Sequence, residues 1–458
     1  MNTNIITKTD SYKFTHWEQY PEGTEAVYSY FEARKGARFQ ETVFFGLQAI
    51  LMKHLVGPVV TRKGIEAAAV LAKAHFGTDK IFNRAGWEYI LNNYDGCLPV
   101  RIKAIPEGTP VSVSNVMMTI ENLDPKCFWL TNHLETLLSQ VWYTSTVATL
   151  SRETKKVIKR YLENTTSNLG GLNFMLHDFG FRGASSTETA ELGGMAHLVN
   201  FLGTDTVVAM EGAMEYYGAT IDGLAYSVPA TEHSVMTARG PEDEARIIGD
   251  LIQRYPTGIL SVVVDSYNYR NCVDNIIGKQ FREAILARNG VFVVRPDSGN
   301  PEEVTLDIVE SLGKSFGITH SSKGKRVLNS KVRVLWGDGI DIRGVDNILS
   351  TLDINGWSAE NMVFGMGGGL LQKVDRDTQR FAFKCSAQKR NGEWFDIYKN
   401  PTDTSKASKR GKLALVKVGT EWITVPGPRQ DDLLKTVFEN GKLVNPITFS
   451  EVRKNAEL

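Results

Sequence analysis

The sequence is poor in the features that mark a secreted, membrane-bound or nucleic-acid-binding chain. It holds only 4 cysteines in 458 residues, and Cys97, Cys127, Cys272 and Cys385 lie far apart with no C-x-x-C spacing. That argues against a disulfide framework or a cysteine zinc site and points to a reducing compartment. No run of about 18 apolar residues occurs, so no membrane-spanning helix is expected. The opening "MNTNIITKTDSYKFTH" lacks the apolar core of a signal segment, and the expected location is the cytoplasm. Net charge is missing too, since 52 basic residues balance 52 acidic ones. No global field therefore recruits nucleic acid or an anionic membrane, and any charge chemistry must be local. What remains is a globular chain, 42% hydrophobic and 10% aromatic, long enough for two or three domains or for one large barrel with additions.

No low-complexity tract or Gly/Ser linker divides the chain. Residues 1–165 mix strand signals ("TEAVYSYFEAR", "LPVRIKAIPEGTPVSVSNVMMTIEN") with the helical stretch "NHLETLLSQVWYTSTVATLSRETKKVIKRYLEN", for which a break around Tyr143 to Thr146 is expected. Residues 166–375 change character. The short apolar runs "NFMLHDFGFRG", "HLVNFLGTD", "LAYSVPATEH", "GILSVVVDSY", "VFVVRPDSGN", "VRVLWGDGID" and "MVFGMGGG" each stop at a polar group or glycine turn. Their landmarks, Asp178, Asp205, His233, Asp265, Asp297, Asp338 and Gly367, recur near the roughly 30 residues that one strand–helix unit needs. The fold expected is α/β: an irregular parallel α/β barrel with reactive groups at the C-terminal strand ends. Residues 376–458 return to strand-like and basic segments ("QRFAFKCSAQKR", "KASKRGKLALVKV") and are expected to rejoin the N-terminal part as a mixed α/β domain packed against the barrel.

The strand ends carry the chemistry. "GDGID" and "GMGGGLLQ" each follow a strand and open an expected helix, where glycines let backbone N–H groups approach an anion and the helix dipole assists. The alternative is a pair of plain chain reversals. Neither turn matches a P-loop or a dinucleotide fingerprint. "VVRPDSGNP" places Arg295 and Asp297 two apart, suited to a phosphate or aromatic ring and to ribose hydroxyls or Mg²⁺, or else to an internal ion pair. "HDFGFRG" offers Asp178, Phe179 and Arg182 at another strand end, although an aromatic such as Phe179 is more often core. His233, beside Glu232, is a candidate base, nucleophile or phosphate acceptor, against the commoner structural histidine. No metal-ligand histidine spacing and no hydrolytic signature appears. Physical reading alone reaches a barrel enzyme acting on a phosphorylated, sugar-containing substrate with Mg²⁺.

"DSYKFTHWEQYP", "YSYFEAR", "HDFGFRGASSTETA", "HLVNFLGTDT", "YSVPATEHS", "RPDSGNP", "GDGIDI", "FGMGGGLLQ", "FKCSA" and "RKNAEL", in that order and across nearly the whole chain, resemble the nicotinamide phosphoribosyltransferase family. The resemblance implies a dimeric type II phosphoribosyltransferase that joins nicotinamide to phosphoribosyl pyrophosphate, with Mg²⁺ and with ATP as an optional co-substrate. It implies that Phe179, Arg295 and the partner's Tyr12 hold the pyridine ring, and that Asp205 accepts from the carboxamide. Asp297 would hold the ribose, with Gly337, Asp338, Gly367 and Gly368 around the ribose-phosphate and Arg182 at the phosphate. Asp10, Arg34, Arg376, Lys384, Lys399 and Lys406 would serve pyrophosphate or ATP phosphates across the dimer. His233 would be the phosphorylated residue with Glu232 orienting it, and Asp265 would join the catalytic group and, with Asp338, the Mg²⁺ ligands.

Met366 and Phe181 depart from residues common in animal members, and neither removes a charged group assigned above. The alternative readings are a nicotinate phosphoribosyltransferase and a non-catalytic signalling protein on the same fold.

Overall fold

The computed structural model describes residues 4–399 and 408–458; Lys406 lies outside the described residues. The chain divides into two compact units, one comprising Met1–Thr149, Ala213–Ala219 and Asp375–Glu457, the other Leu150–Gly212 and Thr220–Val374. The first boundary thus falls inside the helix Val141–Thr165, between Thr149 and Leu150, and not at the helix end expected near residue 165.

The first unit is built on a seven-stranded antiparallel sheet. Its central strand, Thr24–Ala33, pairs on one side with Phe381–Arg390 (Tyr30 opposite Lys384) and on the other with Val116–Asn122. Lys435–Glu439 pairs with Val100–Ala104, so late segments of the chain are strands of the same sheet as early ones. Nearly every residue of Thr24–Ala33 is buried: on one face Ser29 donates to Asn132 of the helix Leu130–His133, and on the other Tyr28 donates to the Leu413 carbonyl of the strand Leu413–Val418. Thr61 and Asn83 cap the flanking helices Arg62–Phe76 and Arg84–Asn93, their side chains accepting from the Gly64 and Gly86 amides. The expected helix break moves. The helical stretch is interrupted at Leu134 and Gln140, while Tyr143 to Thr146 lie inside Val141–Thr165. There Thr144 and Ser145 donate to the Phe45 carbonyl at 2.5 and 3.2 Å, which satisfies the hydroxyls that made the stretch read as a break.

The second unit carries a six-stranded, all-parallel sheet. In chain order its strands are β1 (Leu176–Asp178), β2 (Gly203–Thr204), β3 (Thr257–Val263), β4 (Asn289–Arg295), β5 (Val332–Trp336) and β6 (Met362–Met366). They lie in the order β2-β1-β6-β5-β4-β3. The two edges are bridged by one further segment, in which Tyr226 pairs with Gly203 and Ala230 with Ser261, both parallel. Edge strands are thereby covered, and the sheet curls into an irregular barrel. The run "LAYSVPATEH" is therefore not a regular strand. Pro229 cannot donate to a ladder, and only the Tyr226 and Thr231 amides on either side bond to the neighbouring strands. Likewise "HLVNFLGTD" keeps only two strand residues, its start belonging to the helix Thr187–Leu198.

Candidate active site

The C-terminal ends of the barrel strands converge on a cavity of about 700 Å³. Phe179 and Arg182 reach it from β1, Asp205 from β2, and Glu232 from the bridging segment. Arg295 ends β4 and Asp297 follows it, Gly337 and Asp338 follow β5, and Gly367 and Gly368 follow β6. The structure thus brings together ten residues singled out in the sequence, every one on the barrel unit. Phe181, noted above as a departure from animal members, also lines the cavity, as do Thr206, Ile340 and Lys373, which nothing in their local sequence separates from ordinary turn residues.

His233 begins a short helix, His233–Met236, and is held from outside that helix. Its Nε2 lies 3.2 Å from Asp265 Oδ1 and its Nδ1 4.0 Å from Asp297 Oδ2. Glu232 does not orient the ring as expected: its carboxylate accepts from the Ser234 hydroxyl. Asp265 Oδ2 accepts from the Asp297 amide at 3.0 Å and from the Ser298 hydroxyl, so this nearly buried carboxylate ties the histidine to the "RPDSGNP" turn. With both oxygens engaged it is poorly placed to ligate a metal, unlike the exposed Asp338. No group of three or more metal-ligating side chains occurs among the described residues.

Asp297 and Arg295 share the cavity without forming an ion pair to each other. Burial raises the Asp297 carboxyl above its usual range; Arg295 opposes this, Asp338 and Asp265 add to it, and His233 lowers it. Asp205 is exposed to the cavity and accepts from the Ser227 hydroxyl at 2.5 Å, leaving one oxygen for a ligand.

The glycine turns have a packing role. The helix after "GDGID", Ile342–Ile354, is capped by Asp341, whose side chain already takes the Arg343 and Gly344 amides. The expected dipole site is therefore closed at that end, and the turn itself faces the cavity. A Cβ on Gly365 would come within 2.0 Å of the Phe179 ring, and one on Gly337 within 3.2 Å, so these glycines seat the aromatic ring. At Gly368 nothing lies within 4 Å of the Cβ position, which leaves open space for a ligand.

Asp10, Tyr12, Arg34, Arg376, Lys384 and Lys399 belong to the other unit and are not lining residues of this cavity. Tyr12 is exposed, with its ring edge-on to His16. Asp10 accepts from the Thr136 hydroxyl at 2.6 Å. Lys384 is half-buried, and its ammonium is lowered from its ordinary range first by burial and then by Arg34, Lys399 and Lys409, with Glu32 opposing. Two of the other predicted phosphate ligands, Arg34 and Lys399, are thus among the charges that act on Lys384. Arg376 is exposed and lies 3.6 Å from Asp377.

A parallel barrel whose strand ends present an aromatic ring, glycine turns and carboxylates around one cavity defines the class: an enzyme with its small-molecule site at the C-terminal strand ends. The comparisons agree. Residues 174–442 match the nicotinate phosphoribosyltransferase (NAPRTase) family, and residues 4–102 match the nicotinamide phosphoribosyltransferase N-terminal domain. The chain is 44% identical to the nicotinamide phosphoribosyltransferase of Xanthomonas campestris, covering 99% of this chain and 98% of the relative. It is 33% identical to that of Acinetobacter baylyi, over 98% of this chain and 96% of the relative. Among solved structures it resembles the nicotinate-nucleotide pyrophosphorylase of Pyrococcus furiosus, with a TM-score of 0.63 at 16% identity, covering 99% and 95% of the two chains. Human nicotinic acid phosphoribosyltransferase gives a TM-score of 0.57 at 15% identity, covering 98% and 92%; these two likenesses establish the fold. The chain belongs to the nicotinamide phosphoribosyltransferase branch of the NAPRTase family.

Proposed function

We propose that the protein transfers phosphoribosyl from 5-phosphoribosyl 1-pyrophosphate to nicotinamide, giving nicotinamide mononucleotide and pyrophosphate in NAD salvage. The observation that carries this reading is the juxtaposition of Phe179, Arg295 and Asp205 in one cavity with the Gly367–Gly368 turn. A flat heteroaromatic ring fits the Phe179 face, its carboxamide N–H can donate to Asp205, and a phosphorylated ribose fits the open space at Gly368. Catalysis then rests on positioning: the pyridine nitrogen attacks the ribose C1 and carries no proton to remove, so no general base is needed. Asp297 holds the ribose hydroxyls.

The acidic residues fit a Mg²⁺ ion that arrives with pyrophosphate, since Mg²⁺ usually takes one or two carboxylates plus phosphate oxygens and water. Asp338 would hold it, and when bound it would neutralise charge on the departing pyrophosphate. Asp265 instead orients His233, which we read as the acceptor of a phosphoryl group from ATP. Arg34, Lys384 and Lys399 supply phosphate ligands in a homodimer with shared sites, and the protein works in the cytoplasm.

The test is formation of nicotinamide mononucleotide by the purified protein from nicotinamide, phosphoribosyl pyrophosphate and Mg²⁺, with and without ATP. Product without ATP and faster turnover with it support the reading; no product in either condition overturns it.

A further inference from the structure

Asp178, the last residue of β1, is a fully buried carboxyl one residue before the cavity-lining Phe179, and the chemistry described above does not use it. Its Oδ1 accepts from the Gly180 amide at 2.7 Å. Its backbone carbonyl accepts from the Asp205 amide at 2.9 Å. Its Oδ2 lies beside the buried Thr206 hydroxyl without reaching ordinary hydrogen-bond geometry. The packing around it admits no slack: a Cβ on Gly180 would come within 2.9 Å of Asp178 Oδ1, and one on Gly194 within 3.2 Å of Oδ2. One residue thus joins the turn that carries Phe179 to the turn that carries Asp205.

A buried ionisable side chain is costly unless it is engaged, and a purely structural joint could be made by the backbone alone. Here the backbone bond holds the Asp205 side, and the carboxylate is what holds the Phe179 side. The Phe179 ring has its own seat against Gly365, and its amide donates to the Met366 carbonyl at 3.0 Å; the following peptide is fixed by Asp178. The geometry points to Asp178 as a positioning residue that sets the separation of Phe179 and Asp205, and so governs affinity for the pyridine substrate. This rests on the reading that Phe179 and Asp205 bind that substrate.

The test varies nicotinamide and phosphoribosyl pyrophosphate separately in steady-state assays. Asp178→Ala frees the Gly180 amide, and loss of a hydrogen bond to a charged group should raise KM for nicotinamide roughly 10-fold or more. KM for phosphoribosyl pyrophosphate should stay within about 2-fold, because the turns at Gly337 and Gly367 are untouched. Asp178→Asn keeps an oxygen for Gly180 and should return KM for nicotinamide to within about 3-fold of the parent. An Asp178→Ala protein whose two KM values rise together, or whose KM for nicotinamide is unchanged, overturns the proposal. If Asp178→Ala does not fold, Asp178→Glu, which pushes Gly180 by one methylene, must give the same split. Asp205→Asn is the control for the underlying reading: if it alters use of nicotinamide while the Asp178 variants do not, only the positioning proposal fails. If Asp205→Asn has no effect, the substrate assignment itself fails.

Discussion

His233 Nε2 and Asp265 Oδ1 lie 3.2 Å apart, and the other oxygen of the same carboxylate holds the Asp297 amide at 3.0 Å. A carboxylate on one ring nitrogen fixes the tautomer, leaving Nδ1, on the Asp297 side, as the nitrogen able to accept a phosphoryl group. Incubation with γ-labelled ATP and Mg²⁺ should then give an acid-labile, base-stable label on His233. Asp265→Ala should reduce that label roughly 10-fold or more. Glu232→Gln should leave it largely intact, because Glu232 bonds to Ser234 and not to the ring. His233→Ala should lose the label and ATP coupling but retain slow ATP-independent synthesis. A label elsewhere, or full coupling in His233→Ala, contradicts this assignment.

Two nearby glycines, Gly365 within β6 and Gly368 in the turn after it, should behave oppositely. Gly365→Ala drives a methyl into the Phe179 ring, which must shift, and overpacking of this kind costs about 1–3 kcal/mol. Its KM for nicotinamide should rise with the loss of stability. Gly368→Ala meets nothing within 4 Å, so its stability should stay within about 0.5 kcal/mol of the parent. Its methyl points into ligand space, and KM for phosphoribosyl pyrophosphate should rise instead. Thermal unfolding and the two KM values separate the cases; equal behaviour of both variants contradicts the seat assigned to Gly365.

Burial pushes the Asp178 carboxyl from its ordinary 3.8 up to about 6, with the Asp205 charge adding and the Gly180 and Thr206 contacts opposing. A carboxyl raised in the folded state costs stability once the unfolded chain has ionised. Its penalty therefore grows as pH rises from about 4 and levels off above about 6. Asp178→Asn removes the penalty. Its stability relative to the parent should improve by about 1.4 kcal/mol between pH 5 and pH 7.5, by denaturant unfolding at each pH. A difference that does not change with pH shows that the Asp178 carboxyl is not raised.

Shared sites across a dimer predict complementation. Asp297→Ala and Tyr12→Ala should each be inactive, and mixing them under conditions of subunit exchange should restore activity through hybrid sites that carry both intact residues. Exchange without recovery contradicts the shared site.

Much of this was legible in the sequence, and the failures have physical causes. The landmarks Asp178, Asp297 and Gly367 mark strand ends because a buried parallel strand is a continuous apolar run with an abrupt polar stop. The segment before His233 reads as a strand because it is an apolar run ending at a polar group, yet only Leu224 of its apolar residues is buried and Pro229 prevents a ladder. Adjacency in sequence pairs Glu232 with His233. The true partner, Asp265, comes from the next strand, and only the closed barrel brings it near. Asp178 was seen at a strand end, yet its role depends on Gly180 and Asp205 contacts that no local pattern encodes.

The most direct test of the account is the ratio of kcat/KM for nicotinamide to that for nicotinate, measured side by side in the parent protein and in Asp205→Asn. Asp205 accepts a hydrogen bond from an amide but repels a carboxylate, so the parent should strongly prefer nicotinamide. Asp205→Asn loses a hydrogen bond to a charged group and gains a donor for an acid, which should move the ratio toward nicotinate by roughly 10- to 150-fold. A parent protein that prefers nicotinate, or a ratio unchanged by Asp205→Asn, would contradict the assignment of this cavity to the amide.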